Sequence, residues 1–472
     1  MSRLIVGPFN RVEGDLEVSI EIADGRVAAA YVNSPLYRGF EQMLPGKDPM
    51  DALVIVPRIC GICSVSQSAA AARALRELMG LTPPPNGVLA EQLVTACENL
   101  ADHLTHFYLF FMPDFARPAY RDQAWFPRLA ARFKAVEGSA AADVLPARAS
   151  FMQLMGLMAG KWPHTLSLQP GGSARPLEQA EVLRLIALLR SFRRFLERHT
   201  FGDALESVAA LDSLAALHRW RAGRSGDLPL FLEAAFELGL EQVGKGTDRF
   251  LSYGAYAHFP AGIWDAGAAA FDPAAIVEDL SSAWMAGDTQ PPAHGVTEPL
   301  LDKPGAYSWC KAPRYHGQVM ETGALARQMV AGHPLLRELV TARGGSVLAR
   351  VLARLLELAL VVPRMETWAR QLVPGEPWCD HGTLPQEGSA MGLVEAARGA
   401  LGHWVSVRQG RIHSYQIIAP PTWNFSPRDA AGVPGALEQA LAGMAVGTDD
   451  PMPVAVQHVV RSFDPCMVCT VH

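Results

Sequence analysis

The sequence predicts a mainly α protein with small β parts (α+β), built on a central bundle of long helices and forming one large domain over residues 1–472. Three observations carry that prediction. Apolar stretches of helical character recur at 88–112, 140–160, 176–200 and 346–371, long enough to pack on one another as a bundle. Apolar–polar alternation is short and local, which keeps the β content small. Hydrophobic residues make up 49% of the chain and charged residues 19%, enough apolar material for a large buried core. No repeat, low-complexity tract or clean linker divides the chain.

In order, residues 4–34 read as β structure. Leu16, Val18, Ile20 and Ile22 alternate with Glu17, Ser19 and Glu21, and Asp24-Gly25 signals a hairpin turn. Residues 49–80 read as helical on both sides of a cysteine pair, and Pro83-Pro84-Pro85 stops the second part. The helix at 88–112 ends in His106-Phe107-Tyr108-Leu109-Phe110-Phe111-Met112, and Pro113 closes it. Residues 161–175 and the Pro- and Gly-rich 285–320 read as loops. A hairpin is expected at 403–418 around Gln409-Gly410, and short helices at 427–445 and 453–461.

The composition excludes several function classes. A net charge of −6, with no basic block or acidic tail, argues against a nucleic-acid surface. The most apolar helical run, Val347 to Val362, carries Arg350, Arg354 and Glu357 and does not read as a membrane span. Seven cysteines, an odd count with no signal peptide, predict a reducing and hence cytoplasmic setting. No phosphate loop, H-E-x-x-H or G-x-G-x-x-G motif is present, so nucleotide chemistry is not expected. His103, His106 and His164 read as packing residues rather than ligands.

Two cysteine pairs remain. Cys60-Gly61-Ile62-Cys63 follows Pro57-Arg58-Ile59, and Cys466-Met467-Val468-Cys469 follows Asp464-Pro465. Only a folded chain brings them together, and together they offer four soft thiolates to a metal. Zinc is the commonest user of two such pairs, although its pairs usually lie roughly 15–20 residues apart. On the cysteines alone, zinc and another metal both stand. Glu13 and Glu41, taken singly, read as surface salt-bridge partners. Beside a thiolate-bound metal, a carboxylate could carry protons or hold a hard cation such as magnesium.

The flanking residues resemble one family across nearly the whole chain, the large subunit of the nickel-iron hydrogenases. The resemblance lies in Arg11-Val12-Glu13-Gly14, Tyr37-Arg38-Gly39-Phe40-Glu41, Arg58-Ile59-Cys60-Gly61-Ile62-Cys63 and Lys311-Ala312-Pro313-Arg314-Tyr315. It continues in Glu395-Ala396-Ala397-Arg398-Gly399, Trp423-Asn424 and the stretch from Asp464 to His472. It implies a long-helix bundle around a buried metal site. Cys60, Cys63, Cys466 and Cys469 would bind nickel, and Cys63 and Cys469 would bridge to an iron carrying carbon monoxide and cyanide. Glu13 would relay protons. Glu41, His472 and the Ile417 carbonyl would surround magnesium, and Arg398, Asp114 and Asp464 would line the space above the metals.

Departures within the resemblance point to the regulatory, hydrogen-sensing branch. Gln67 stands where a histidine is usual, and Ile62 and Phe110 resemble that branch's narrowed gas channel. Ala397 replaces a usual proline. Pro421 stands where a hydroxyl often bonds a cyanide, with Thr422 as the substitute. The chain stops at His472, as a processed catalytic subunit or an unextended sensor would. Cys97, Cys310 and Cys379 are too scattered for a cluster, so electrons would leave through an iron–sulfur small subunit, as a heterodimer or a dimer of heterodimers. The sensory branch adds a histidine kinase. A catalytic uptake hydrogenase is the alternative. A metal-free relative, as in respiratory complex I, is disfavoured because all four cysteines are present.

Overall fold

The computed structural model describes residues 2–446 and 452–472. Strands β1 (Ser2–Val6), β2 (Glu17–Ala23) and β3 (Arg26–Asn33) form an antiparallel sheet in that order. Val18, Ile20 and Ile22 face the core, as the alternation predicts, and the hairpin turns at Asp24-Gly25.

Short helical turns lead to the first cysteine pair, and α1 (Ser64–Met79) starts directly after Cys63. It ends at Gly80, not at the prolines. Pro85 instead opens α2 (Pro85–Thr105), where a first-turn residue has no intrahelical N–H bond to lose. The predicted helix at 88–112 is thus α2, continued by a π-helical turn at His106–Phe111. The bundle is completed by α3 (Ser139–Ala159) and α4 (Gln179–Phe195), and later in the chain by α6 (Val347–Gln371). α6 packs on α2 and α4, and α3 packs on the same two helices.

Between α4 and α6 come β4 (Arg249–Ala255), β5 (Phe259–Asp265) and α5 (Ala324–Ala331). After α6, the expected hairpin is β7 (Gly399–Arg408) with β8 (Arg411–Ile418). It belongs to a three-stranded sheet whose first strand, β6 (Gly388–Ala396), the pattern did not announce. Glycine and alanine at 388, 390, 392 and 396 give β6 a weak strand signal, and its packing against α1 supplies what propensity does not. The stretch 427–445 holds one short helix, Ala436–Leu441, and α7 (Val454–Ser462) leads to the second cysteine pair. The stretches 161–175 and 285–320 are mostly irregular, with short paired segments at Leu168–Gln169, Gly172–Ser173 and Ala312–Tyr315.

One hydrophobic cluster runs from Val6 to Cys469 and includes all four paired cysteines. Among the described residues, no helix is long and apolar enough to cross a membrane.

Candidate metal centre

The two cysteine pairs meet in the core. Cys60 lies in extended backbone after a 3-10 turn, Cys63 precedes α1, and Cys466 opens the helical turn Met467–Thr470. Their sulfurs are 3.6 Å apart for Cys60–Cys466, 3.0 Å for Cys63–Cys469 and 3.2 Å for Cys466–Cys469. A disulfide needs about 2.05 Å, and all four are free and buried. Ligands around one ion with bonds of about 2.3 Å sit roughly 3.7 Å apart, so these sulfurs are placed as ligands. Among the described residues, Cys60, Cys63 and Cys469 form the one group of three ligating side chains close enough to share an ion. Hydrogen bonds from the Cys466, Cys469 and Cys63 thiols hold the Cys60 thiol well below its usual range, while Cys63 and Cys469 are pushed up. The donor set fits nickel.

Several contacts hold the pairs. Glu13 forms a parallel bridge with Cys466, and Met467 N–H donates to the Glu13 carbonyl at 2.7 Å. Gly14, at φ +80, lets that backbone approach: a Cβ there would lie 3.1 Å from Val468. Arg38 donates to the Ile59 carbonyl at 2.6 Å and also to the Val468 carbonyl, tying together the residues just before Cys60 and Cys469. From α2, the Glu98 carboxylate accepts from Val65 N–H and Ser66 N–H at 2.9 Å, satisfying the free first-turn donors of α1 beside Cys63.

Above the sulfurs lies Arg398, in the tight turn between β6 and β7. It donates to both the carbonyl and the side chain of Asp464 at 3.1 Å, and its Nη1 is 3.0 Å from Asp102. Asp464 adopts a left-handed backbone, φ 57, directly before Pro465. Asp114, expected beside Arg398, lies elsewhere: its buried carboxylate pairs with Arg11, Arg117 and Arg461. The second carboxylate at Arg398 is Asp102, on α2 and ahead of the π-helical turn that separates it from Asp114. Burial pushes its carboxyl up to about 7, against the pull of Arg398. Burial and the nearby Cys60 sulfur likewise raise Glu13.

Glu41, His472 and Ile417 also meet. His472 Nε2 is 2.9 Å from the Ile417 carbonyl and 3.6 Å from Glu41, which accepts from Ile417 N–H at 2.7 Å. Lys311 reaches Glu41 at 3.0 Å and Glu278 at 3.2 Å. Burial would raise Glu41, yet Lys311, His472 and Thr297 hold it down at about 2. The Glu41 carboxylate and the Ile417 carbonyl are oxygen donors of the kind magnesium takes, with the His472 ring beside them.

The branch-specific residues are placed as follows. Gln67 is fully buried. Its Oε1 is 2.8 Å from His403 Nε2, and its Nε2 has no partner. Ile62 packs against the core beside Cys60. Phe110 is half-buried, while its neighbours Phe107 and Phe111 are fully buried. Thr422, the substitute expected beside Pro421, is 3.0 Å from the Thr470 carbonyl, to which its hydroxyl donates. Arg38, Asp102, Glu98 and Lys311 escaped the sequence reading. Arg38 and Lys311 lay within motifs already marked, whereas Asp102 and Glu98 carried no signal beyond being acids on an apolar helix.

Comparison with known proteins agrees with this geometry. The nickel-dependent hydrogenase family matches residues 38–124 and 140–472. The periplasmic [NiFeSe] hydrogenase large subunit of Desulfomicrobium baculatum is 28% identical, over 100% of this chain and 95% of that protein. The hydrogenase-2 large chain of Escherichia coli strain K12 is 27% identical, over 100% and 97%. The reduced Ni-Fe-Se hydrogenase structure from D. vulgaris Hildenborough superposes with a TM-score of 0.84 at 29% identity, covering 100% of both chains. A core-buried set of four converging cysteines, in a fold shared end to end with these enzymes and matched by the family over most of its length, makes this chain a member of the nickel-dependent hydrogenases, an oxidoreductase family whose large subunit it is.

Proposed function

We propose that this chain activates molecular hydrogen as the large subunit of an uptake-type enzyme, with Cys60, Cys63, Cys466 and Cys469 on nickel and Cys63 and Cys469 shared with an iron bearing carbon monoxide and cyanide. The observation that carries this reading is the buried convergence of the four sulfurs. When bound, the metal pair would supply a Lewis acid for heterolytic cleavage into a proton and a hydride equivalent and would take up that equivalent's two electrons, so that each hydrogen molecule gives two protons and two electrons in all.

The chain's own residues do the rest. Glu13 takes up a proton at its carboxylate: it is anchored by backbone to Cys466, and its raised pKa brings it nearer neutrality, where a carboxyl both accepts and releases a proton. Arg398 keeps a fixed guanidinium over the site, with Asp102 and Asp464 orienting it. The core around the cysteines excludes water. Magnesium at Glu41, Ile417 and His472 would brace the last residues, and the whole of 1–472 acts as one domain. Electrons leave through an iron–sulfur small subunit, because the described residues hold no second cysteine cluster.

The relatives, among them the uptake hydrogenase large subunit of Azotobacter chroococcum mcd 1, favour the catalytic role. The buried Gln67 supports a second reading as a cytoplasmic hydrogen sensor that signals to a histidine kinase, in which Ile62 and Phe110 would narrow the path of the gas. Turnover separates the two: a sensor splits hydrogen slowly.

Purified protein matured in a competent host should contain one nickel and one iron, with infrared bands of carbon monoxide and cyanide. Stoichiometric zinc without those bands would sink the proposal.

A further inference from the structure

We infer that Arg327 is a positioning residue for Arg398, holding the turn that carries it and closing a ring of buried polar groups around the site. The inference rests on the proposed role of Arg398 in hydrogen activation.

Arg327, on α5, is fully buried. It donates to the Ala396 carbonyl at 2.9 Å and to the Ala397 carbonyl at 3.3 Å, the two carbonyls immediately before Arg398. It also binds Glu395 at 2.6 Å and grips both oxygens of Glu357, on α6, at 2.8 and 2.9 Å. Glu357 lies 3.3 Å from His103 Nε2 on α2. The residue before His103 is Asp102, which holds Arg398 at 3.0 Å. The ring therefore runs from Arg398 through Asp102, His103, Glu357 and Arg327 back to the carbonyls that precede Arg398. It joins α2, α5, α6 and the β6–β7 turn.

The chemistry calls for arginine at 327. A guanidinium presents five N–H donors in a planar fork, and here they serve Glu357, Glu395 and the two carbonyls together. A lysine has three donors at one point and cannot span them. An ion pair serving cohesion alone has no need to end on the backbone that aims Arg398. Asp102 and Asp464 hold the guanidinium of Arg398, and Arg327 holds the backbone it springs from; side chains over a reacting centre lose rate steeply when displaced by about an ångström.

The test uses the matured enzyme with its partner subunit, as Arg327→Lys, Arg398→Lys and the double variant. Arg327→Lys should lower turnover about 10- to 100-fold, with the KM for hydrogen and the nickel and iron content little changed. In the Arg398→Lys background the same change should cost less than about twofold, because nothing is left to position. A crystal structure of Arg327→Lys should show Arg398 detached from Asp102 or Asp464. Wild-type turnover in Arg327→Lys, effects that multiply in the double variant, or both contacts of Arg398 retained would overturn the inference. Wild-type turnover in Arg398→Lys would instead sink the functional reading beneath it. If Arg327→Lys does not accumulate with metals, Glu357→Gln opens the same ring while keeping its shape. It should show the same lack of additivity with Arg398→Lys, and additivity there would overturn the inference.

Discussion

Single residues here are tuned by burial as much as by partners. Glu13 is half-buried and raised towards neutrality beside Cys60, which suits a group that gives and takes protons. Glu13→Gln keeps the shape and the backbone bridge to Cys466 but cannot ionise. Hydrogen–deuterium exchange should fall at least 100-fold with nickel and iron retained; unchanged exchange would place the relay elsewhere. Glu41 is tuned the other way, held at about 2 against its ordinary value of 4.5. A carboxylate with a lowered folded pKa adds stability above its unfolded pKa and loses it as pH falls. The loss should therefore appear between pH 4.5 and 2, at about 1.4 kcal/mol per unit, or about 3 kcal/mol in all. With divalent cations chelated, Glu41→Gln should flatten that acid limb in urea titrations at stepped pH. An unaltered limb would show that the Lys311–Glu41 contact contributes little. Taken singly, each reads in the sequence as a surface partner, and only the family resemblance gives Glu13 a proton relay and Glu41 a magnesium site. Their burial depends on which distant segments cover them.

At the scale of elements, the site is built from ends rather than middles. Cys63 precedes α1, Asp464 follows α7, and Arg398 sits in the turn between β6 and β7. That turn is seated against α5: Gly399 has φ +124, and a Cβ there would lie 2.4 Å from Gly323 N and 2.5 Å from Thr322 Oγ1. Gly399→Ala must therefore move the turn or α5. It should cost about 2–4 kcal/mol of stability through strain and overpacking, seen as a lower urea midpoint at unchanged slope. Turnover should fall too, because Arg398 is the preceding residue. A midpoint within error of the parent would mean that the turn has room to adjust. The long helices were legible because a three- or four-residue period needs only local information. The π-turn at His106–Phe111 and strand β6 were not, since one depends on how α2 is received by its neighbours and the other on α1 lying across it.

Across the whole molecule, the four sulfurs join residue 60 to residue 469, so nearly the entire chain lies between ligands of one centre. Metal bound only by the folded state adds its binding free energy to stability. Protein produced without nickel and iron should unfold at a lower temperature and be cut sooner by protease within 464–472. Equal unfolding temperatures and cutting rates would show that packing alone seats the second cysteine pair. By itself, the sequence determined the mainly helical class, the two cysteine pairs, the family and most ligand candidates, because period, spacing and short motifs are local properties of a chain. Only the tertiary structure decided that Asp102 rather than Asp114 flanks Arg398, that Thr422 reaches the Thr470 carbonyl, that Arg38 ties the two cysteine loops, and that Arg327 braces the turn. Each of these is a contact between residues far apart in the chain, and a charged group's partner is chosen by which surfaces the fold presses together, a distance that no spacing along the sequence encodes.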